Sequence, residues 1–361
     1  MRLSDQLFFE GYGAYGFKDK RFKYQLGAMY SFQPRKLHPW EYPINLLSVY
    51  YTDDVEIPGQ FFLYGNADRL VMSFRRGKAT QMVYHRTLSV NYEREFLSGF
   101  SFKPSITRRE ERPAGDLVYT NANGRIDRLT TTQLGLQLRF APNERFSQVQ
   151  SKRYPLNHTN PVFTLHYNYG MKGVWGGQYE FHRLDFGLQK RTWFGSLGFT
   201  DQLFNAGQIW GAVPFPLLSF HPANQSYAYQ NEAFSMMNYM EFVSDRYAQA
   251  QMSHCFNGLI FNRLPLIKKL NFREYITFKA TWGDVSNRNR PENDAGLFHF
   301  PAGDDGAPLM YGLSAKPYME VGIAIDNIFN FFRLDLVKRL NYLDHPNVAE
   351  WGVRFQIRFA L

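Results

Sequence analysis

The last eleven residues of the chain alternate strictly between apolar and polar side chains. One set is apolar and comprises Val353, Phe355, Ile357, Phe359 and Leu361. The intervening set is small or polar and comprises Gly352, Arg354, Gln356, Arg358 and Ala360. Because successive side chains of a β-strand point to opposite faces, this period of two predicts a terminal strand with one apolar face.

The same alternation recurs along the whole chain and predicts about sixteen strands. No stretch shows a competing helical period, so the predicted fold class is all-β. The predicted strands cover residues 5–17, 21–32, 45–52, 69–75, 80–94, 97–109, 130–140, 162–170, 178–191, 196–206, 235–243, 246–257, 270–282, 318–326, 332–342 and 351–361. Short turns and long polar loops separate them, as in barrels that carry turns on one side of a membrane and loops on the other.

The second face of the C-terminal strands carries charges. These residues are Arg333, Asp335, Arg339, Arg354 and Arg358. Unpaired charges in a dry core are costly, whereas a wet lumen accommodates them. The pattern therefore predicts a closed antiparallel transmembrane β-barrel, with the charged set facing the lumen. Lipid would contact Val353, Phe355, Ile357 and Phe359. A water-soluble β-rich protein with an aromatic core is the alternative.

Composition supports the barrel interpretation. Aromatic residues make up 17% of the 361 residues, with 34 Phe and 23 Tyr, yet mean hydropathy is only −0.41. No segment reaches the run of roughly 20 apolar residues that a membrane helix requires. In a barrel the lipid-facing and lumen-facing side chains cancel in any window average, which reconciles these numbers.

Charge and motifs exclude several function classes. The net charge of +9 is spread over alternate strand positions, whereas a nucleic-acid site would cluster its basic residues. Cys255 is the only cysteine, so no internal disulfide or cysteine-based metal site is expected. His254 and Cys255 are neighbours on a strand and point to opposite faces, so they cannot form a catalytic dyad. Asp304 and Asp305 are interpreted as a solvated loop. We expect no enzyme activity, cofactor or metal.

Residues 207–234 form the longest stretch without alternation. The stretch is apolar and contains three prolines, which cannot donate to a strand ladder. It is predicted to fold into the lumen as a plug, or over it as a lid. The aromatic and aliphatic candidates for this role are Trp210, Phe215, Leu218, Phe220, Tyr227 and Tyr229. The alternative is a loop in the aromatic belt at the membrane interface.

Several strings resemble one family of Bacteroidetes outer-membrane proteins. They are GYGAYGFKDKRFKYQLGAMYSF (11–32), APNERF (141–146), VPFPLL (213–218), MMNYMEFVSDRYAQ (236–249), FNGLIFNRLPLIKKLNFREYITFKATWG (256–283) and PYMEVGIAIDNIFNFFRLDLVKRLNY (317–342). That family joins a carboxypeptidase-regulatory-like domain to a C-terminal barrel of unknown function. The resemblance implies that residues 1–361 are a single barrel domain in the bacterial outer membrane. Because Met1 is followed by no apolar signal region, we expect a truncated chain that lacks an N-terminal periplasmic domain, and the loss of the first barrel strand with it is left open.

The order of the C-terminal third also resembles the superfamily of BamA-type insertases and two-partner translocators. In that superfamily a long loop with an Arg-Gly-aromatic motif reaches into the lumen, whereas the matching region here reads NQSYAY (224–229). The resemblance implies transport, protein or lipid assembly, or envelope biogenesis. The expected partners are outer-membrane lipid, the barrel-assembly machinery and other envelope proteins. A structural or anchoring barrel for the missing domain is the alternative. Residues 284–315 are expected outside the cell.

Overall fold

The computed structural model describes residues 2–35, 37–60, 75–76, 80–149, 152–156, 159–303, 306, 308–313 and 316–357. Fourteen strands form one antiparallel sheet in these ranges, and each pairs with its neighbours in sequence. No helix among the described residues is long and apolar enough to cross a membrane. The fourteen-stranded sheet confirms the all-β fold class.

The strands are numbered in chain order. They are β1 (Leu7–Gly16), β2 (Arg21–Ser31), β3 (Asn45–Glu56), β4 (Gln81–Glu95), β5 (Phe100–Gly115), β6 (Tyr119–Asn121), β7 (Gly124–Ile126), β8 (Leu129–Phe140), β9 (Phe146–Val149), β10 (Lys152–Pro155), β11 (Val162–Gly170), β12 (Phe181–Trp193), β13 (Phe199–Trp210), β14 (Ser219–Phe220), β15 (Val243–Ser244), β16 (Arg246–Cys255), β17 (Arg273–Asp284), β18 (Tyr318–Ile328), β19 (Phe332–Arg339) and β20 (Trp351–Ile357). The pairs β6–β7, β9–β10 and β14–β15 form three separate two-stranded sheets that are not hydrogen-bonded to the large sheet. Short 3-10 turns cover Val174–Gly176, Gly195–Leu197, Phe215–Leu217, Phe261–Arg263, Ile267–Leu270 and Asn287–Asn289.

Connections alternate between the two ends of the sheet. We call the end where β1 begins and β20 finishes the terminal end, and the opposite end the far end. The terminal end carries the connections 32–44, 96–99, 141–161, 194–198, 256–272 and 329–331. The far end carries 17–20, 57–80, 116–128, 171–180, 211–245, 285–317 and 340–350. The three longest connections therefore lie at the far end.

The predicted number of sixteen strands is reduced to fourteen in the described part of the chain. Residues 235–243 are not a sheet strand: their backbone is irregular, and only Val243–Ser244 forms a short strand with β14. Residues 69–74 of another predicted strand lie outside the described residues. Strands β1 and β20 are the two ends of the sheet in the described ranges, so closure into a barrel stays a prediction.

The large sheet has one apolar face and one polar face. Exposed hydrophobic side chains on the apolar face include Phe22, Leu26, Tyr30, Leu47, Val49, Tyr51, Leu134, Leu136, Phe163, Phe186, Ile276, Phe278, Ile323, Leu334, Leu336, Val353 and Ile357. The intervening positions of the C-terminal strands are polar and buried, among them Gln249, Gln251, Thr277, Lys279, Thr281, Glu320, Arg333, Asp335, Arg339 and Arg354. The hydrophobic side chains thus face outward while the charged ones are covered.

The main hydrophobic core lies at the far end. Three far-end connections supply most of it, through Leu117, Tyr119, Val213, Phe215, Leu218, Met240, Val285, Phe298 and Met310. The rings of Tyr119 and Phe298 lie 5.2 Å apart, and Phe215 meets Tyr119 edge-on at 5.6 Å. These connections pack on one another and cover the far end of the polar face.

Candidate functional site

The connection 211–245 runs along the polar face of the sheet, and we call it the inner segment. It leaves and returns at one place, because Gln208 of β13 pairs with Arg246 of β16. The backbone amide of Ile209 donates to the carbonyl of Asp245 at 2.6 Å and closes the base of the loop. The prolines at 214, 216 and 222 exclude a regular strand here, so side chains of the sheet satisfy many of the backbone groups.

Strands β16 and β17 hold the middle of the inner segment through its carbonyl groups. The Nζ atom of Lys279 donates to the carbonyls of Gln230 at 2.9 Å and Ala233 at 2.6 Å. The side-chain amide of Gln251 donates to the carbonyl of Glu232 at 2.9 Å. Lys279 is only 5% exposed, so its charge is stabilised chiefly by backbone oxygens.

Glu320 of β18 binds the next part of the inner segment. Its carboxylate accepts the backbone amides of Ser235 at 2.9 Å and Met236 at 2.6 Å. The hydroxyl of Tyr318 donates to the same carboxylate at 2.7 Å. Charge-assisted bonds of this kind are stronger than neutral ones, which fixes the backbone at residues 235–236.

A buried ion pair fastens the C-terminal part of the inner segment to β19. Arg339 donates to Glu241 at 2.7 and 3.1 Å, and neither side chain is more than 3% exposed. The Nδ1 atom of His345 lies 2.7 Å from the same carboxylate. Burial raises the pKa of Glu241, but the bonds from His345 and Arg339 outweigh burial and leave that pKa below its ordinary value. Glu241 is therefore held as a carboxylate.

Two further arginines, one on β19 and one on β20, contact the inner segment. Arg333 forms a buried ion pair with Asp335 at 2.7 Å and lies 4.7 Å above the ring of Tyr229. Arg354 donates to the carbonyl of Ser235. Cation–π contacts gain strength when both partners are desolvated, so Tyr229 is a specific attachment point.

Backbone hydrogen bonds also join the inner segment to the last strand. The amide of Tyr229 donates to the carbonyl of Phe355 at 2.7 Å, and the amide of Phe355 donates to the carbonyl of Tyr227 at 2.9 Å. Ala228 and Phe355 form a parallel bridge. At this level the inner segment occupies the edge of β20 as a neighbouring strand would.

His221 is buried where β14 and β15 pair. Its Nε2 atom lies 2.9 Å from the hydroxyl of Ser244, and its Nδ1 atom lies 3.0 Å from the hydroxyl of Thr281. Burial lowers the pKa of His221 to about 3. The imidazole is consequently neutral at physiological pH and bridges the inner segment to β17.

A cavity of about 720 Å³ lies against the inner segment. Tyr229, Asn231 and Glu232 line it from the inner segment, and the remaining wall comes from β4, β5, β8–β13, β16, β17, β19 and β20 together with the connection 141–161. Ion pairs surround it: Lys103–Glu93 at 3.6 Å, Arg139–Glu144 at 2.7 Å, Arg153–Glu95 at 2.5 Å and Arg191–Asp201 at 2.6 Å. Such a wall suits water or a polar solute more than an apolar ligand. In the ranges the structure describes, no group of three His, Cys, Asp or Glu residues could hold a metal ion.

The structure distributes the predicted plug residues over several environments. Phe215, Leu218 and Tyr229 are buried, and Phe220 is half-buried. Trp210 ends β13 and is exposed, so residues 207–210 extend a strand and do not begin the irregular stretch. Tyr227 is 45% exposed.

The predicted lipid-facing and lumen-facing sets lie on opposite faces of the sheet. Val353 and Ile357 are exposed on the apolar face, while Phe355 is half-buried against Phe332. The charged set lies buried on the polar face, namely Arg333, Asp335, Arg339 and Arg354. Arg358, Phe359, Asp304 and Asp305 lie outside the described residues. Which face meets lipid stays a prediction.

Sequence reasoning missed the residues that attach the inner segment. Lys279 and Glu320 stood at polar positions of predicted strands, but no local pattern showed that they bind backbone groups far away in sequence. Glu241 was placed inside a predicted strand, and His221 was not singled out. An acidic residue inside an apolar stretch, as in Met240-Glu241-Phe242, was the available signal for a buried charge.

Sequence comparison identifies one family. Residues 84–289, more than half of the chain, match the C-terminal domain of a family of unknown function, DUF5686. No curated protein matches the chain in sequence.

Solved structures show a related fold. BamA from Haemophilus ducreyi lacking POTRA domains 1–3 is 10% identical with a TM-score of 0.50, and the match covers 97% of this chain and 69% of that one. CdiB from Acinetobacter baumannii is 12% identical with a TM-score of 0.44, and the match covers 97% of this chain and 55% of that one. The match to BamA shows that the chain has a BamA-like fold, which agrees with the resemblance noted in its sequence.

Proposed function

We propose, on the premise that the chain belongs to the DUF5686 family, that it is an outer-membrane β-barrel for protein insertion or translocation whose passage the inner segment closes. The observation that carries this proposal is the attachment of residues 211–245 to the polar face of β16–β20. The fold shared with BamA supports the class of protein. The segment itself supports the closed state.

The apolar face supports a membrane location. Water-soluble monomers rarely expose contiguous apolar patches of more than a few hundred Å². Here exposed hydrophobic side chains recur on β2, β3, β8, β17, β18, β19 and β20, for example Leu26, Ile276 and Ile323. Lipid is the solvent in which such a surface is stable.

The way the inner segment is held supports a plug rather than an interfacial loop. A loop in the aromatic belt would keep its backbone groups near water. Instead, buried charges bind backbone groups at residues 230, 233, 235 and 236. The segment also borders the polar cavity through Tyr229 and Glu232, so its removal would enlarge that cavity.

The test is the conductance of the protein in planar lipid bilayers. Because Gln208 and Arg246 are paired, residues 211–243 can be replaced by a four-residue Gly-Asn-Gly-Ser linker without separating β13 from β16. We expect the variant to insert and to conduct at least several-fold more current per channel than the parent protein.

A matched variant shortens a different far-end connection. Replacing residues 120–125, the tip of the β6–β7 hairpin, keeps Tyr119 against Phe215 and should leave conductance within about twofold of the parent if the inner segment is the barrier. An inserted inner-segment variant that conducts no more than the parent would overturn the plug. A parent protein that never enters bilayers would overturn the barrel.

A further inference from the structure

The connection 256–272 at the terminal end is apolar and basic at once. It contains Arg263, Lys268 and Lys269 but no acidic residue, and all three cations are exposed. Four of its six large aliphatic side chains are exposed as well: Ile260 at 55%, Leu264 at 43%, Leu266 at 86% and Leu270 at 52%. Four such side chains in water would be unfavourable, so the connection requires another environment.

Glu274 at the start of β17 fixes the shape of this connection. Its buried carboxylate accepts the backbone amides of Gly258 at 2.9 Å and Ile260 at 3.0 Å, and also that of Phe261. Two 3-10 turns, Phe261–Arg263 and Ile267–Leu270, follow. The exposed leucines are therefore presented by an ordered backbone.

Neighbouring turns extend the apolar surface on both sides. The side-chain amide of Asn327 donates to the carbonyl of Asn271 at 2.8 Å and joins the turn 329–331, where Phe329 is 81% exposed. On the other side, His254 contacts the carbonyl of Leu197 at 3.0 Å in the turn 194–198, next to exposed Trp193. The surface is continuous with the ends of the apolar face of the sheet.

We propose that residues 256–272 form an interfacial anchor that binds anionic phospholipid in the leaflet at the terminal end. The leucines enter the acyl region, and the three cations contact lipid phosphates, which is the arrangement of amphipathic segments that lie in a membrane surface. The absence of carboxylates in the stretch favours anionic headgroups over zwitterionic ones. The inference rests on the proposed membrane location and adds a lipid preference to it.

The first experiment measures depth with lipid-attached nitroxide quenchers. Single cysteines carrying a bimane label are placed at Leu266 and at Ile323, which is 60% exposed on the apolar face, in protein with Cys255→Ala. Reconstitution is into vesicles of phosphatidylcholine and phosphatidylglycerol. We expect quenching at both sites. Quenching at Ile323 alone would overturn the anchor, and quenching at neither site would overturn the membrane location itself.

The second experiment measures lipid preference. Protein in nanodiscs with equal amounts of the same two lipids is released and analysed by native mass spectrometry. The triple variant Arg263→Gln, Lys268→Gln, Lys269→Gln should lose retained phosphatidylglycerol by at least fivefold, since each cation near an anionic surface contributes roughly a fivefold preference.

The control removes the same number of charges at the far end. Arg125→Gln, Lys172→Gln and Arg288→Gln are substitutions at exposed positions of three far-end connections. This variant should retain phosphatidylglycerol like the parent protein. Equal loss in both variants would show that net charge alone sets retention and would overturn a specific anchor.

Discussion

Glu241 makes the most concentrated set of polar contacts in the inner segment. It joins Arg339 and His345 across two other parts of the chain, and its carboxylate is nearly inaccessible to water. Breaking a buried ion pair leaves an uncompensated charge, which costs far more than the pair contributes in isolation. A single carboxylate therefore couples the position of the segment to the stability of β19.

Glu241→Gln should lower the free energy of unfolding by about 3–5 kcal/mol, because Arg339 then stays buried without a counter-charge. Urea unfolding of the protein refolded in lipid vesicles measures this. Asp127→Asn is the control, since the Arg125–Asp127 pair is exposed. Its effect should stay below about 1 kcal/mol. Similar small effects of both substitutions would show that the buried pair does not hold the segment.

His221 should make the attachment of the inner segment depend on pH. The folded-state pKa of about 3 lies below the ordinary value of 6.5, so between these values the unfolded segment binds a proton that the folded one does not. Stability is therefore lost as pH falls from 6.5 toward 3, at up to about 1.4 kcal/mol per pH unit.

Hydrogen exchange of residues 219–245, corrected for intrinsic rates, should become faster in the parent protein as the pH is lowered from 6.5 to 4.5. His221→Gln should remove that rise. Glu241 acts in a lower window: its depressed pKa gives stability that is complete above its ordinary value of 4.5 and is lost as pH falls through the folded pKa. A rise that persists in His221→Gln would assign the effect to another group.

At the scale of elements, alternation predicted strands well wherever one face was exposed. It located β2, β8, β11 and β20, and it assigned Val353 and Arg354 to opposite faces of the last strand. It failed at 235–243 because Met236, Met237 and Met240 are all buried, so no exposed face existed to set a period. A short apolar run bounded by turn residues has the same sequence signature as a buried strand.

The candidate site was predictable only in part for a related reason. Proline content identified the irregular segment, because proline removes a ladder donor whatever surrounds it. Its partners were not predictable, since Lys279 and Ala233 are 46 positions apart and their bond depends on the assembled sheet. Sequence patterns report the facing of a residue but not which distant group completes its hydrogen bonds.

Val353 and Gln356 of β20 lie on opposite faces of the sheet, so substitutions at these two positions test which face meets lipid. Val353→Arg places a charge on the apolar face and should reduce folding into lipid by about 2–4 kcal/mol if that position lies near the membrane centre. Gln356 lines the cavity, so Gln356→Arg should change folding into lipid little. Folding is measured on gels as the fraction of each variant that migrates as the compact form before heating and shifts on heating. Equal losses would contradict the assignment of the faces.

At the scale of the molecule, the two ends of the sheet differ in kind. The far end carries the longest connections and the main core, while both termini of the described sheet lie at the terminal end. In outer-membrane barrels short turns lie on the periplasmic side and long loops outside. The far end is therefore expected to face the medium.

Surface accessibility tests this orientation. A protease site inserted after Gly296, in the exposed part of the connection 285–317, should be cut on intact cells. The same site inserted after Asn330, in the turn 329–331, should be cut only after the outer membrane is opened. The reverse pattern would invert the molecule in the membrane.

The backbone bonds between Phe355 and residues 227–229 also bear on self-association. An unpaired strand edge is a template on which a second chain can add. Here residues 227–229 of the inner segment, which lie more than a hundred positions earlier in the chain, cover part of the edge of β20 that β19 does not occupy. We expect the inner segment to hinder pairing of a second chain at this part of β20, so a chain that has lost the segment should form edge-linked oligomers more readily.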